Sequence, residues 1–342
     1  MDLQSVWGWQ PALYLFLGGM GAGAFVAAAI LYVRGRARGP VVCAAMWAAV
    51  ASLVCGLLLL LMELVTPARG LLMWQSFSNF GSWMTYGAWA AFCAIVVFGV
   101  SALLATEPLA ARLRAKAAWY ARREKGIRRA LAIVGIVLGL FVAFYTGMLL
   151  MAPGTVPFWS TPLLPALFTV SALDTGVALV EVVSIALAKR GALEAKAVRA
   201  LERAVVALVL VEAVVLAVLI GMSLGADAGT PAALAAAASA EAIAFGSLAP
   251  WFWVLVVGAG LALPLCVAAR GLVRLRGKAR EGASGKAEDG RDGDASSASR
   301  ERVATAVGAA GALAGGCALR FIVLAAGVHA DLVAATVLGL IG

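Results

Sequence analysis

Charge is what this chain has least of. Only 13% of its 342 residues are Asp, Glu, Lys or Arg, against 63% hydrophobic, and mean hydropathy is +0.97. A water-soluble globule is excluded, because its surface needs roughly twice that share of charge. Histidine occurs once, as His329. Paired bis-histidine haems inside a helical bundle need several such ligands, so that class of membrane cytochrome is excluded. The five cysteines, Cys43, Cys55, Cys93, Cys266 and Cys317, lie singly in apolar runs, with no C-x-x-C pair. Iron–sulfur and zinc centres need thiolates close together, so neither a cluster nor another metal site is expected; the cysteines read as small buried hydrophobes. A basic n-region and a small-residue cleavage site are also missing near the start, so the first apolar run is expected to stay as a span.

What is there is length in the apolar runs. Eight can be marked, about 11–33, 41–65, 82–105, 130–152, 163–188, 204–224, 246–269 and 303–327. Each can cross a hydrocarbon layer of ~30 Å at 1.5 Å per residue. Lipid cannot satisfy open backbone groups, so helices are the expected form. The fold class is therefore an all-α integral membrane protein with eight transmembrane helices and the bilayer as its surroundings.

The basic residues set its orientation. Three arginines fall in 34–39, eight basic residues in 106–129, five in 189–203 and nine in 270–302, which is 25 of the 27. The alternate loops hold only Arg69. The net charge of +9 thus reads as a topology signal, not as a nucleic-acid footprint. Basic loops face the cytoplasm, both termini face outside, and the chain is a multi-pass protein of the cytoplasmic (inner) membrane. The Gly/Ser/charge-rich stretch at about 277–302 reads as a disordered cytoplasmic linker, and 328–342 as a short outer tail. Trp7, Trp9, Trp74, Trp83, Trp159, Trp251 and Trp253 gather at the outer ends of spans. An aromatic belt and a docking surface both fit them.

Two arginines fall outside the loop pattern. Arg69 follows span two on the outer side, and Arg320 lies inside span eight, about 26 Å from its cytoplasmic start. Glu63 ends the leucine run of span two. Tyr14 is about one turn into span one and Tyr145 roughly 10 Å below the outer surface. A carboxylate, two arginines and two phenols thus share one depth range. Charge in hydrocarbon costs on the order of 2.5–3.5 kcal/mol even on lenient scales, so it tends to be paired and functional. Helix-end charge and structural pairing are the plainer readings. Deeper lie Asp174, Glu181 two turns on, and Glu212 in span six. They read either as a proton path or as interhelical hydrogen-bonding glue. Gly19/Gly23 and Gly311/Gly315 form G-x-x-x-G pairs, which suit close helix packing. The glycines of "LGGMGAGAF" lack the strand and the Lys-Ser/Thr of a phosphate loop.

Five stretches resemble the NrfD/PsrC family of polysulfide-reductase-type membrane subunits: "WGWQPALYLFLGGMGAGAF" (7–25), "LMELVTPAR" (61–69), "SFSNFGSWMTYGAW" (76–89), "FYTGMLLMAPGTVPFWSTPLLPALFTVSALDTG" (144–176) and "ALRFIVLAAG" (318–327). They occur in family order over most of the chain. The resemblance implies two four-helix bundles, 1–152 and 153–342, with a quinone site near the outer surface of the first. It implies a subunit that exchanges electrons between the quinone pool and a four-cluster ferredoxin-like iron–sulfur subunit on the outer face, and through it a molybdopterin catalytic subunit. Menaquinone or ubiquinone would be an exchangeable substrate, with no haem and no iron–sulfur cluster in this chain. By the resemblance Tyr14 and Tyr145 hold quinone, with Tyr14 where polysulfide reductases carry a histidine, and Arg320, at the same depth, is expected to bind quinone with them. Glu63 exchanges protons and Arg69 tunes it; the family's acid stands closer to the proline than Glu63 does. A proton-coupled transporter using the buried acids, and a purely structural anchor, are the competing readings.

Overall fold

A computed structural model describes residues 8–37, 39–63, 81–188, 193–226, 229–283 and 291–330, with the backbone alone at 63, 275–283 and 291–298. The described residues form an all-α structure without a sheet. Eight helices are long and apolar enough to cross a membrane.

In chain order these are α1 (Trp9–Val33), α2 (Pro40–Glu63), α3 (Trp83–Ala105), the short α4 (Glu107–Lys116), α5 (Ala118–Met151), α6 (Leu163–Ala186), α7 (Ala195–Leu224) and α8 (Pro231–Ala244). Then come α9 (Ala249–Trp251), a π-helical stretch (Phe252–Ala262), α10 (Leu263–Ala283) and α11 (Arg291–Ala325). The spanning helices are α1, α2, α3, α5, α6, α7, the run Ala249–Arg274, and the Ser299–Ala325 part of α11.

Hydropathy marks where these helices are apolar, not where they end. α5 begins at Ala118 and α7 at Ala195, before their apolar runs. The added turns are rich in Ala, Arg, Glu and Lys, which keep helix propensity outside hydrocarbon. α10 reaches Ala283 and α11 begins at Arg291, so the backbone is helical in both flanks of the 277–302 segment. Ser82 caps α3 through Met84 N at 3.3 Å. Thr230 caps α8 through Ala233 N at 3.2 Å, with Pro231 at the first helical position.

α1 is the most enclosed span, with 72% of its apolar window buried, against 28% for α7. It packs against α2, α5, α6 and α11. Phe25 of α1 stacks on Phe98 of α3 at 3.8 Å between ring centroids, and a Cβ on Gly135 of α5 would strike the Phe25 ring. α6 packs against α7 and α11, α10 against α7 and α11, and the π-helical stretch against α11.

Both G-x-x-x-G pairs sit at such crossings. A Cβ on Gly23 would overlap the Ala172 carbonyl of α6, and one on Gly19 would lie 3.1 Å from the Ala172 Cβ. On α11, a Cβ at Gly311 would come within 2.5 Å of the Ala259 carbonyl, and one at Gly315 would overlap Gly260. Helices meeting backbone to backbone gain dispersion contacts that larger side chains would prevent.

Two readings of apolar residues change. Cys55, Cys93 and Cys266 are exposed, and Cys43 and Cys317 half-buried. They are free thiols facing outward more than inward, as suits a chain whose surroundings are themselves apolar. Trp159 is buried, its Nε1 donating to the Val323 carbonyl at 2.9 Å, and so belongs to the α6–α11 core and not to a belt. Trp9, Trp83, Trp251 and Trp253 are exposed; Trp7 and Trp74 lie outside the described residues.

Candidate functional site

Tyr14 and Tyr145 come together. Tyr14 projects from α1 and Tyr145 from the last two turns of α5, both buried. They are near enough to interact electrostatically. The space for Tyr145 is opened by Gly87 of α3, where a Cβ would fall inside the tyrosine ring. Three spans therefore make the pair. Neither hydroxyl has a hydrogen-bond partner among the described residues. Neither hydroxyl oxygen is among the fully enclosed polar atoms that lack a partner, so both are open to a ligand oxygen.

Glu63 is the last residue of α2. Its side chain, and Arg69 altogether, lie outside the described residues.

Arg320 lies where α11 meets α6 and α1, its Nη2 3.7 Å from where a Cβ on Gly19 of α1 would stand. It is fully buried, and its hydrogen bonds run to α6 and its own helix. Nη1 donates to Ser171 Oγ at 2.5 Å and to the Gly316 carbonyl at 2.8 Å, and Nη2 to the Phe168 carbonyl at 3.4 Å. The guanidinium lies 5.2 Å from the centroid of the Phe168 ring, a cation–π contact worth ~0.5–2 kcal/mol. Gly316 leaves it room on α11.

The deep acids gather around this arginine. Glu212 of α7 approaches the same Ser171 hydroxyl and is in electrostatic reach of Arg320. Asp174 of α6 interacts with Glu212, Glu181 and Arg320, and its Oδ1 has no hydrogen-bond partner. Asp174, Glu181 and Glu212 are all buried. Arg320 is thus in reach of the acids on α6 and α7 and also borders α1, the helix that carries Tyr14.

The line of acids continues past Glu181. Glu202 of α7 interacts with Glu181 on one side and Glu301 on the other. Glu181, Glu202 and Thr305 line a cavity of about 20 Å³, enough for one water. Glu202 lies in a loop of basic residues by hydropathy, and so reads as interfacial charge. Its spacing of three and seven from Val205 and Val209, both buried on α7, was the available signal. Among the described residues no three His, Cys, Asp or Glu side chains come together to hold a metal ion.

The comparisons with known proteins agree with this architecture. The profile of the family described as "Polysulphide reductase, NrfD" matches residues 1–280. The protein is similar to the C subunit of the polysulfide reductase of Wolinella succinogenes, 33% identical over 271 residues that cover 76% of this chain and 82% of the relative. It is also similar to "Protein NrfD" of Escherichia coli (strain K12), 28% identical over 276 residues, 76% and 83% of the two proteins. With a matched profile over most of its length and the residue stretches in family order, the chain belongs to the NrfD/PsrC family of polysulfide-reductase-type membrane subunits.

Proposed function

We propose that this protein is the quinone-reactive membrane subunit of a multi-subunit oxidoreductase. It passes electrons between the quinone pool and an iron–sulfur subunit on the outer face, and through that to a molybdopterin catalytic subunit. Family membership supports the role. The observation that carries the site is the Tyr14–Tyr145 pair, two buried phenols whose hydroxyls have no partner among the described residues. Such donors suit the two oxygens of a menaquinone or ubiquinone. A quinol gives up two electrons and two protons. The electrons leave to the partner's clusters; Glu63 accepts the two protons one at a time and releases each to the outer surface, with Arg69 holding its carboxyl acidic.

The helices pair in a way that supports two bundles. α1, α2, α3 and α5 pack among themselves, as do α6, α7, α10 and α11, and α1 and α5 join the sets through α6. The clustered basic residues support cytoplasmic placement of that end, with both termini outside.

Asp174, Glu181 and Glu212 form the proposed proton path, with Glu202 continuing it toward the basic end through the small cavity. The glue reading has its own support, since Glu212 and Arg320 meet at one hydroxyl between three helices. Asp174→Asn separates the two. A path predicts slowed turnover or altered proton translocation in proteoliposomes with assembly intact; glue predicts loss of assembly alone.

The experiment for the site is turnover of the assembled complex with quinol, compared with an artificial donor that feeds the soluble subunits directly. Glu63→Gln should lower quinol-linked turnover on the order of ten-fold or more while the artificial donor still works. Unchanged quinol turnover makes Glu63 a helix-end charge.

A further inference from the structure

A cavity of about 1120 Å³ lies at the basic end, far along α1 from Tyr14. Its walls come from Tyr32 at the end of α1, Trp47 on α2, Thr106 between α3 and α4, and the first turns of α5. Trp47 is fixed there, its Nε1 donating to Thr106 Oγ1 at 3.1 Å.

The charges on its rim are of two kinds. Arg114 is paired with Glu107 and with Glu124 at 3.4 Å; the hydrogen bond to Glu107 pushes its pKa above the ordinary value. Arg128 pairs with Glu124 at 3.4 Å and lies 5.1 Å from the centroid of the Tyr32 ring. Those two arginines are occupied within the protein. Lys125 and Arg129 line the same cavity, are exposed, and form no ion pair among the described residues. Both carboxylates on the rim, Glu107 and Glu124, are already engaged by Arg114 and Arg128. The free charge of the cavity is therefore positive.

Below the rim the surface turns apolar. Trp47 is 40% exposed, and Ala51, Cys55 and Leu58, at helical spacing on the same face of α2, are exposed beyond it. An indole at a membrane interface, cations above it and an open aliphatic stripe beneath match one class of molecule by charge and shape.

We infer that this cavity binds an anionic phospholipid. Lys125 and Arg129 hold the phosphodiester, Trp47 flanks the glycerol region, and the α2 stripe takes the upper acyl tail. A neutral quinone head gives two spare cations nothing to neutralise, whereas a phosphodiester does. The inference needs only that this end lies at a membrane surface, so it stands or falls separately from the electron-transfer role and from which side that surface faces.

The test is native mass spectrometry of the full-length protein, with any subunits that purify with it, released from neutral detergent. It is titrated with dioleoyl phosphatidylglycerol or dioleoyl phosphatidylethanolamine. Phosphatidylglycerol should be retained preferentially. The double variant Lys125→Gln/Arg129→Gln should weaken that binding roughly tenfold or more, in line with the contribution of basic residues near anionic lipid. Lys125→Arg/Arg129→Lys should keep it, and so should Lys196→Gln/Arg203→Gln, which removes exposed charge from the same end. Equal retention of the two lipids, or unchanged binding by the double Gln variant, overturns the inference. So does displacement by millimolar inorganic phosphate, which would mark a site for a soluble anion.

Discussion

At the scale of single residues, the contact between Gly87 and Tyr145 makes the site most open to test. A methyl at Gly87 has no space beside the ring, so Gly87→Ala should displace Tyr145 and weaken quinone binding although it adds no polar group. Tyr145→Phe keeps the ring and removes the hydroxyl, and should weaken binding by about 0.5–1.5 kcal/mol if one hydrogen bond is lost. Quinone titration of the assembled complex measures both; normal affinity in Gly87→Ala would separate the Tyr145 position from quinone. Arg320 makes a different prediction. Arg320→Gln leaves Glu212 and Asp174 without their buried cation, a change that costs about 3–5 kcal/mol when the partner charge stays. Thermal unfolding in detergent should show the loss, and Glu212→Gln in the same protein should recover part of it. Full additivity of the two changes would mean that they do not interact. Sequence patterns placed Tyr14, Tyr145 and Arg320 at one depth. They could not give the azimuth, which brings Arg320 within reach of Glu212 and Asp174 and the two phenols within reach of each other.

At the scale of helices, small residues decide which spans touch. Gly23 and Gly176 face one another where α1 crosses α6, and a Cβ on Gly176 would enter the Gly23 backbone. Gly176→Val should therefore push α1 from α6 and reduce folded, complex-forming protein, with the overpacking penalty of about 1–3 kcal/mol or more. Gly99 on α3, where a Cβ would meet nothing within 4 Å, is the control: Gly99→Ala should leave yield and unfolding temperature unchanged or slightly raised. The G-x-x-x-G spacing made both crossings legible, because only a close backbone approach makes such spacing useful. The π-helical stretch Phe252–Ala262 was not legible. Its composition is simply apolar, and its wider turn is set by tertiary contact, Gly260 against Gly315 on α11. The short helices α4 and α8 escape hydropathy for the opposite reason: each is too short to span a bilayer.

At the scale of the whole molecule, eight helices are long and apolar enough to span, and the clustered basic residues are the ground for the proposal that both termini face the exterior. Single cysteines at Ala111 and Ser299, in a background without the exposed native thiols, should resist a membrane-impermeant reagent in intact cells, while one at Thr230 should label. The reverse pattern would invert the molecule and move the Tyr14–Tyr145 end to the cytoplasm. Cofactor content is a second check at this scale: with one histidine and no C-x-x-C pair, the purified protein should show no haem Soret band and no cluster iron. The proposed orientation rests on charge that is scarce and sorted. The partner subunits leave no such mark and enter through family membership. The central claim, that quinone reacts at the end of the molecule away from the basic loops, is tested most directly by photolabelling the assembled complex with an azido-quinone and mapping the labelled peptides. Label should appear on peptides containing Tyr14 or Tyr145 and fall when excess native quinone competes. Competed label on the peptides of Tyr32, Trp47 and Lys125 instead would contradict the claim and place the quinone in the cavity at the basic end.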